Sequence, residues 1–204
     1  MWNNNLLFVI SGPSGSGKTT LLKAILKDKD LKDKLRRSIS FTTRPKRKGE
    51  RNKKDYIFIT EEEFKKRLKE KKILEWTKFL DYYYGTSLVD FKKLLKEKKH
   101  ILLCLDEKGA FKLKRLYPKN TITIFILPPK IEELKRRILK RENKLDKKQF
   151  LKRMSLARRQ LKLAELYDYR LINKDLKKTL KDLKEIILKQ IKHYGRCTLR
   201  AIDR

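Results

Sequence analysis

Two cysteines and two histidines in 204 residues leave little from which to build a disulfide framework or a histidine–cysteine metal centre. Cys104 and Cys197 are far apart and neither belongs to a C-x-x-C pair, so no cysteine metal site is expected and a reducing compartment fits. Long apolar runs are absent as well: no segment approaches the ~18 residues that cross a bilayer. The opening MWNNNLLFVI has no basic leader and enters an apolar run directly, which is not the pattern of a signal peptide. The expected location is the cytoplasm, with no membrane partner. Acidic residues are scarce, 25 against 57 basic ones, which leaves a net charge of +32. Such a surplus suits a nucleic-acid binder, a binder of small anions, or a chain whose solvated helix faces are covered by lysine. The lysines are spread along the whole chain and interleaved with Glu and Leu at helical spacing, with no basic tail or stripe. We read them as solvated faces whose summed field draws in anionic substrates, with no specific nucleic-acid partner, and weak RNA binding is left open.

What is present is enough apolar material, 39% of residues, for the core of one ordinary domain with small inserts. Leu6 to Ile10 is a short continuous apolar run, the signature of a buried parallel strand. A Gly/Ser-rich turn follows, then Leu21, Leu22, Ile25 and Leu26 at helical spacing. Ile101 to Leu105, Thr121 to Leu127 and Tyr169 to Ile172 are further strand candidates. Residues 147–165 carry Phe150, Met154, Ala157, Leu161 and Ala164 on one helical face, and 176–192 carry Leu180, Leu183, Ile187 and Ile191. Strands alternating with helices imply an α/β fold: a parallel sheet flanked by helices with right-handed crossovers. Residues 38–94 read differently. Ile39 to Phe41 and Tyr56 to Ile59 look like short strands around the basic turn RPKRKGERNKK. Thr60 with Glu63, and later Ser87 with Asp90, form capping-box patterns that open helices. This is a small α+β insert. A second insert, nearly all charged and helical, follows Pro128-Pro129.

Gly12-Pro13-Ser14-Gly15-Ser16-Gly17-Lys18-Thr19 matches the P-loop pattern at every position, between an apolar strand and an amphipathic helix. Glycines let consecutive backbone N–H groups turn inward around a phosphate, and the helix N-terminus adds partial positive charge. Lys18 can reach the terminal phosphates of a nucleoside triphosphate, and the Thr19 hydroxyl can ligate Mg2+. The motif, with Thr20 after it, predicts an ATP site but leaves the acceptor undefined.

The acceptor comes from a resemblance. ISGPSGSGKTTLL, SISFTTRPKRKGE, KKDYIFI, ILEWTKFLDYYYGTS, FILPPKIEELKRRI and RLIN stand in the order and near the spacing found in guanylate kinases, over most of residues 6–190. The TTRPxRxGE segment with YYGTS downstream is far more specific than the P-loop. The resemblance implies a P-loop core (1–37, 95–128 and 154–193), a GMP-binding insert (38–94), a helical lid (129–153) and a frayed tail (194–204) with no family counterpart. It implies transfer of the terminal phosphate of ATP, as co-substrate with Mg2+, directly to GMP and to dGMP. Arg44, Arg47, Tyr56 and Tyr84 match the positions that hold the GMP phosphate, with Glu50 and Gly85 in the same segments. Arginine forks suit a phosphate dianion, although by residue type alone Arg44 and Arg47 read as part of a charge run with Lys46, Lys48 and Arg51.

Glu75 matches the guanine-reading glutamate. A carboxylate complements the adjacent N1–H and 2-amino donors of guanine, which adenine lacks. Ser40 and Thr86 match hydroxyl-bearing positions. Taken alone, Glu75 reads as a charge on a helix-to-strand loop and the two hydroxyls as ordinary turn or strand residues. Where the family carries Asp-x-Asp, this chain has Cys104-Leu105-Asp106. Asp106 is the candidate for a guanine contact, for water around Mg2+ beside Thr19, or for both. Cys104 cannot supply the first carboxylate and reads as strand core. Arg137, Arg141 and Arg153 are the lid arginines that would neutralise the transferring phosphoryl group, and Asn173 is placed near adenine. Two other readings of the same motifs stay open: a P-loop kinase acting on a sugar phosphate, and a binding module without catalysis. Monomer and homodimer are both compatible with the chain.

Overall fold

The computed structural model describes residues 5–141 and 146–202. β1 (Leu7–Ser11) leads through the glycine-rich turn into α1 (Lys18–Ile25), and β2 (Leu35–Arg37) follows. Next come β3 (Ser40–Thr42), β4 (Ile57–Phe58), α2 (Glu61–Lys69), β5 (Ile73–Phe79), β6 (Tyr82–Ser87) and α3 (Leu88–Lys96). β7 (His100–Cys104), α4 (Glu107–Leu116) and β8 (Thr121–Leu127) lead to a helical pair, α5 (Ile131–Arg141) and α6 (Lys147–Lys162). β9 (Tyr169–Ile172) and α7 (Leu176–Ile202) complete the described chain.

Five strands form one sheet in the order β2-β7-β1-β8-β9, and every ladder in it is parallel. The continuous apolar run of β1 fits its central place, since a parallel strand covered on both faces needs no polar side. Alternation along β1 sorts the core. Leu6, Phe8 and Ile10 join Leu21, Leu22 and Ile25 of α1 and Leu183 and Ile187 of α7 on one face. Leu7 and Val9 join Phe91 of α3, Ala110 and Leu113 of α4, and Phe125 on the other. Each such fully buried side chain contributes about 1.5–3 kcal/mol of transfer free energy. Because the strands are parallel, the glycine-rich turn, Cys104, the start of α5 and Asn173 all fall at or just beyond strand carboxyl ends. That rim is where open α/β sheets place ligands.

A second sheet, in the order β4-β3-β6-β5, occupies residues 38–94 around Phe41, Phe64 and Ile73. Its helices open as their caps predict: the Thr60 hydroxyl accepts from the Glu63 amide and the Ser87 hydroxyl from the Asp90 amide. The helical pair has a small core of its own, Leu134, Ile138, Met154 and Ala157.

The structure departs from the sequence reading, or adds to it, in four places. The segment ILEWTKFLDYYYGTS is a β-hairpin, β5–β6, and not a helix-to-strand loop. Its strands escape simple alternation because a bulge lies between Ile73 and Glu75, and Leu74 and Glu75 are both buried. Leu35–Arg37 is an edge strand, too short to show a period. The boundary at 153/154 falls inside α6, which runs unbroken from Lys147 to Lys162. The tail is not frayed from Tyr194 onward: α7 continues to Ile202, and the Tyr194 hydroxyl accepts from Asn120 Nδ2 at 2.8 Å. The side chains beyond Gly195, Cys197 among them, lie outside the described residues.

Candidate active site

The cradle is held open from within. Lys18 Nζ donates to the Gly12 carbonyl at 2.6 Å and to the Pro13 carbonyl at 2.8 Å, so the ammonium spans the loop. Asn173, buried at the start of the segment after β9, donates from Nδ2 to the Ser16 carbonyl at 2.8 Å. Gly17 has φ +95° and caps α1 in the left-handed region, and a Cβ there would run into that same Asn173 amide. Gly12, at φ +142°, lies so close to the Ile126 carbonyl that a side chain has no room. Gly12, Ser14, Gly15, Gly17, Lys18, Thr19 and Thr20 wall a cleft of about 750 Å³. Pro13 and Ser16 stand behind them. The Ser16 hydroxyl is fully buried with no hydrogen-bond partner among the described residues, a donor left to the cradle.

The same cleft runs into the second sheet. Arg47, Lys48, Gly49 and Glu50 wall it from the basic turn, and Ser40, Tyr56, Tyr84 and Gly85 from the strands. Arg44 stands one layer back, with 7% of its surface exposed. Its Nη2 donates to both oxygens of Glu50 (2.8 and 3.0 Å), Nε to the Tyr84 hydroxyl (3.2 Å) and Nη1 to the Pro45 carbonyl (2.6 Å). Glu50 also accepts from the Arg47 amide at 2.8 Å, so one carboxylate fixes both arginine positions. Burial opposes that charge, yet the Arg44 guanidinium and the Arg47 amide hold Glu50 below the usual carboxylate range. Burial around the Tyr56 hydroxyl, with the Cys104 thiol adding to it, pushes it well above its ordinary value, so Tyr56 stays a donor. Lys23 of α1 pairs with Asp55 at 2.5 Å and ties the cradle helix to the basic turn.

At the far end two carboxyl groups meet. Glu75, 3% exposed on β5, accepts from the Thr86 hydroxyl at 2.6 Å. Its other oxygen lies against Gly109, where a side chain would collide with it. Burial raises Glu75 to about 7; Thr86 opposes the shift and Asp106 reinforces it. Asp106 caps α4, accepting from the Gly109 amide at 3.0 Å. Burial raises it too, against the Gly109 amide and the Thr77 hydroxyl.

The structure adds detail to three expectations about this region. Arg44 lies directly beside the cleft, bonded to its walls Tyr84 and Glu50. Thr86 does not face the cleft, because its hydroxyl is committed to Glu75. Cys104 is not simply strand core. It packs on the core but also walls the cleft, with Thr19, Ser40 and Tyr56 around a void of about 10 Å³. Among the arginines of the helical pair, Arg137 reaches the cleft, its Nε donating to Glu133 at 2.7 Å. Arg153 is buried on α6 and does not wall the cleft. The Arg141 side chain lies outside the described residues. Asn173 walls the cleft, but its amide holds the loop. Two residues escaped the sequence reading. Thr77 walls the cleft and bonds Asp106, and its place two residues after Glu75 was the available signal. Gln160 also walls the cleft, and nothing in its helical surroundings sets it apart.

The architecture defines a P-loop α/β nucleotide-binding protein whose cleft continues into a separately built second compartment. A guanylate kinase family model matches residues 4–190. The chain is 44% identical over 184 residues to the guanylate kinase of Caldanaerobacter subterraneus subsp. tengcongensis, covering 90% of this chain and 86% of that one. It is 41% identical over 188 residues to that of Syntrophotalea carbinolica, covering 92% and 87%. The crystal structure of guanylate kinase from Anaplasma phagocytophilum superposes with a TM-score of 0.72 at 28% identity, over 91% of this chain and 86% of that one. The chain belongs to the guanylate kinase family.

Proposed function

We propose that this chain transfers the terminal phosphoryl group of ATP to GMP, and to dGMP, giving ADP and a guanosine diphosphate. The observation that carries the acceptor is the Glu75–Asp106 pair that walls the cleft, Glu75 buried and Asp106 half-buried. Guanine offers two adjacent donors to such a pair. Adenine leaves it desolvated and unmatched, which a site built for hydrogen bonds rejects strongly.

The residues then divide the work. The cradle amides and Lys18 hold the donor phosphates. Arg47, Tyr56 and Tyr84, the last held by Arg44, receive the phosphate of GMP, with Glu50 fixing their geometry. Ser40 borders the same compartment. An acceptor oxygen bonds to the terminal phosphorus as the bond to the bridging oxygen of ATP breaks. The chain forms no covalent intermediate, so its contribution is positioning and charge neutralisation. Arg137, which walls the cleft from the lid, stabilises the equatorial oxygens, and Arg141 and Arg153 are its candidate helpers.

Among the described residues no group of three or more His, Cys, Asp and Glu side chains could hold a metal ion unaided. Thr19 and Asp106 nevertheless wall one cleft, and this oxygen set fits Mg2+, which keeps several waters and shares phosphate oxygens. Bound there, Mg2+ would bridge and neutralise the donor phosphates. No described helix is long and apolar enough to cross a membrane, in keeping with a cytoplasmic enzyme. Monomer and homodimer are both compatible with this reading.

A coupled assay for ADP tests the reading. The wild-type chain with Mg2+, ATP and GMP turns over, and Lys18→Ala abolishes turnover. Absence of ADP formation with GMP and dGMP would sink it.

A further inference from the structure

Glu107 is a carboxylate with 7% of its surface exposed, one residue beyond Asp106 in the first turn of α4. Both of its oxygens are taken by α6: Arg159 Nη2 donates to one at 2.8 Å and Gln160 Nε2 to the other at 2.8 Å. Gln160 is itself 5% exposed and walls the nucleotide cleft. Arg159 is 59% exposed, so its pairing with Glu107 contributes little stability. It adds direction. Two hydrogen bonds fix where the first turn of α4 lies relative to α6.

That turn is the one that serves the base end of the cleft. Asp106 caps it by accepting from the Gly109 amide, and the Gly109 backbone lies directly against Glu75. A displacement of α6 is therefore transmitted through Glu107 to both base-end carboxyl groups. α6 also shares a small core with α5 through Met154 and Ala157 against Leu134 and Ile138. Leu134 and Ile138 in turn pack against Gly15 of the cradle. A connected path thus runs from cradle to α5, α6, Glu107 and the base end.

We propose that Glu107 is a positioning residue that couples the helical pair over the cradle to the guanine-reading carboxyl groups. The inference rests on the base-reading role assigned above to Glu75 and Asp106. Coupling of this type shows as a change in the GMP parameters that exceeds the change in those of ATP, because the contact sits at the base end.

The test compares wild type, Glu107→Leu, Gln160→Glu and the exchange Glu107→Gln/Gln160→Glu, by steady-state kinetics with Mg-ATP and GMP. Glu107→Leu keeps the volume and removes the tie. It is expected to raise KM for GMP about fivefold or more while KM for ATP stays within about twofold. Gln160→Glu sets two carboxylates face to face and gives the same signature more strongly. The exchange restores a hydrogen bond with donor and acceptor reversed, and returns KM for GMP to within about threefold of wild type. An unchanged KM for GMP in Glu107→Leu overturns the proposal. So does an equal rise for both nucleotides, or an exchange variant no better than Gln160→Glu; that comparison holds even where Glu107→Leu fails to fold. A wild-type chain that ignores GMP instead defeats the functional reading, and this inference with it.

Discussion

Glu75 holds the sharpest conflict between a residue and its surroundings: a carboxyl group buried on β5, with burial raising it to about 7. The folded chain binds a proton there that the unfolded chain has released, so stability falls as pH rises. The contribution is whole below about 4.5 and lost by about 7, on the order of 3 kcal/mol at most. Asp106, raised by burial in the same direction, adds to the slope. Ligand-free wild type is thus expected to melt at progressively lower temperature from pH 5 to 7.5, and Glu75→Gln to flatten that dependence. Equal slopes in the two proteins would contradict it. GMP binding favours the ionised carboxylate, so near pH 6.5 binding releases a proton from Glu75. Calorimetry in buffers of different ionisation enthalpy measures this, and Glu75→Gln keeps only the smaller release from the phosphate of GMP. Cys104 supplies a second test. It borders the void of about 10 Å³ beside Thr19, where the extra atoms of a carboxylate would go. Cys104→Asp is expected to lower the Mg2+ concentration for half-maximal rate by about threefold to tenfold. An unchanged Mg2+ requirement would show that the cysteine is silent toward the metal.

Among the elements, α5 and α6 share only a small core, four buried apolar residues, yet they pack against the cradle. Elements with few buried contacts open most readily. Ile138→Ala removes a side chain that is 2% exposed and costs about 2–4 kcal/mol of local stability. The expected result is a several-fold loss of kcat and a raised KM for ATP, with faster amide exchange confined to α5 and α6. Uniformly faster exchange would place the defect in the whole fold. The elements also show how far sequence reading carried. β1, β7 and β8 were legible because buried parallel strands are continuous apolar runs, β9 from Tyr169, Leu171 and Ile172 although it is a half-exposed edge strand, and the caps at Thr60 and Ser87 because capping chemistry is local. The β5–β6 hairpin was not, because its bulge breaks the period that marks a strand and aims Glu75 inward. Site residues on motifs, from Gly12 to Thr19 and from Arg44 to Glu50, were likewise visible. Their division into those that wall the cleft and those that stand behind it was not. Whether Arg44 or Thr86 faces the cleft depends on Glu50, Tyr84 and Glu75, contacts that exist only once the second sheet has folded.

For the whole molecule the dominant quantity is a net charge of +32 set against two anionic substrates. Such a field raises encounter rates and is screened by salt, with a Debye length near 10 Å at 0.1 M. kcat/KM for GMP is expected to fall several-fold between about 0.05 and 0.5 M salt while kcat changes little. A flat response would mean that the lysines only solvate helix faces. The molecule's organisation, with the cradle and the Glu75–Asp106 pair walling one cleft, leads to a discrimination between acceptors that no cradle alone could make. The direct measurement is kcat/KM with GMP and with AMP, for wild type and for Glu75→Gln, at saturating Mg-ATP. Wild type should favour GMP by about 10⁴ or more, and Glu75→Gln should reduce that ratio by at least about 100-fold, mainly through GMP. A wild type that accepts AMP comparably, or a ratio that Glu75→Gln leaves untouched, would contradict the assignment of the Glu75–Asp106 pair as the reader of guanine.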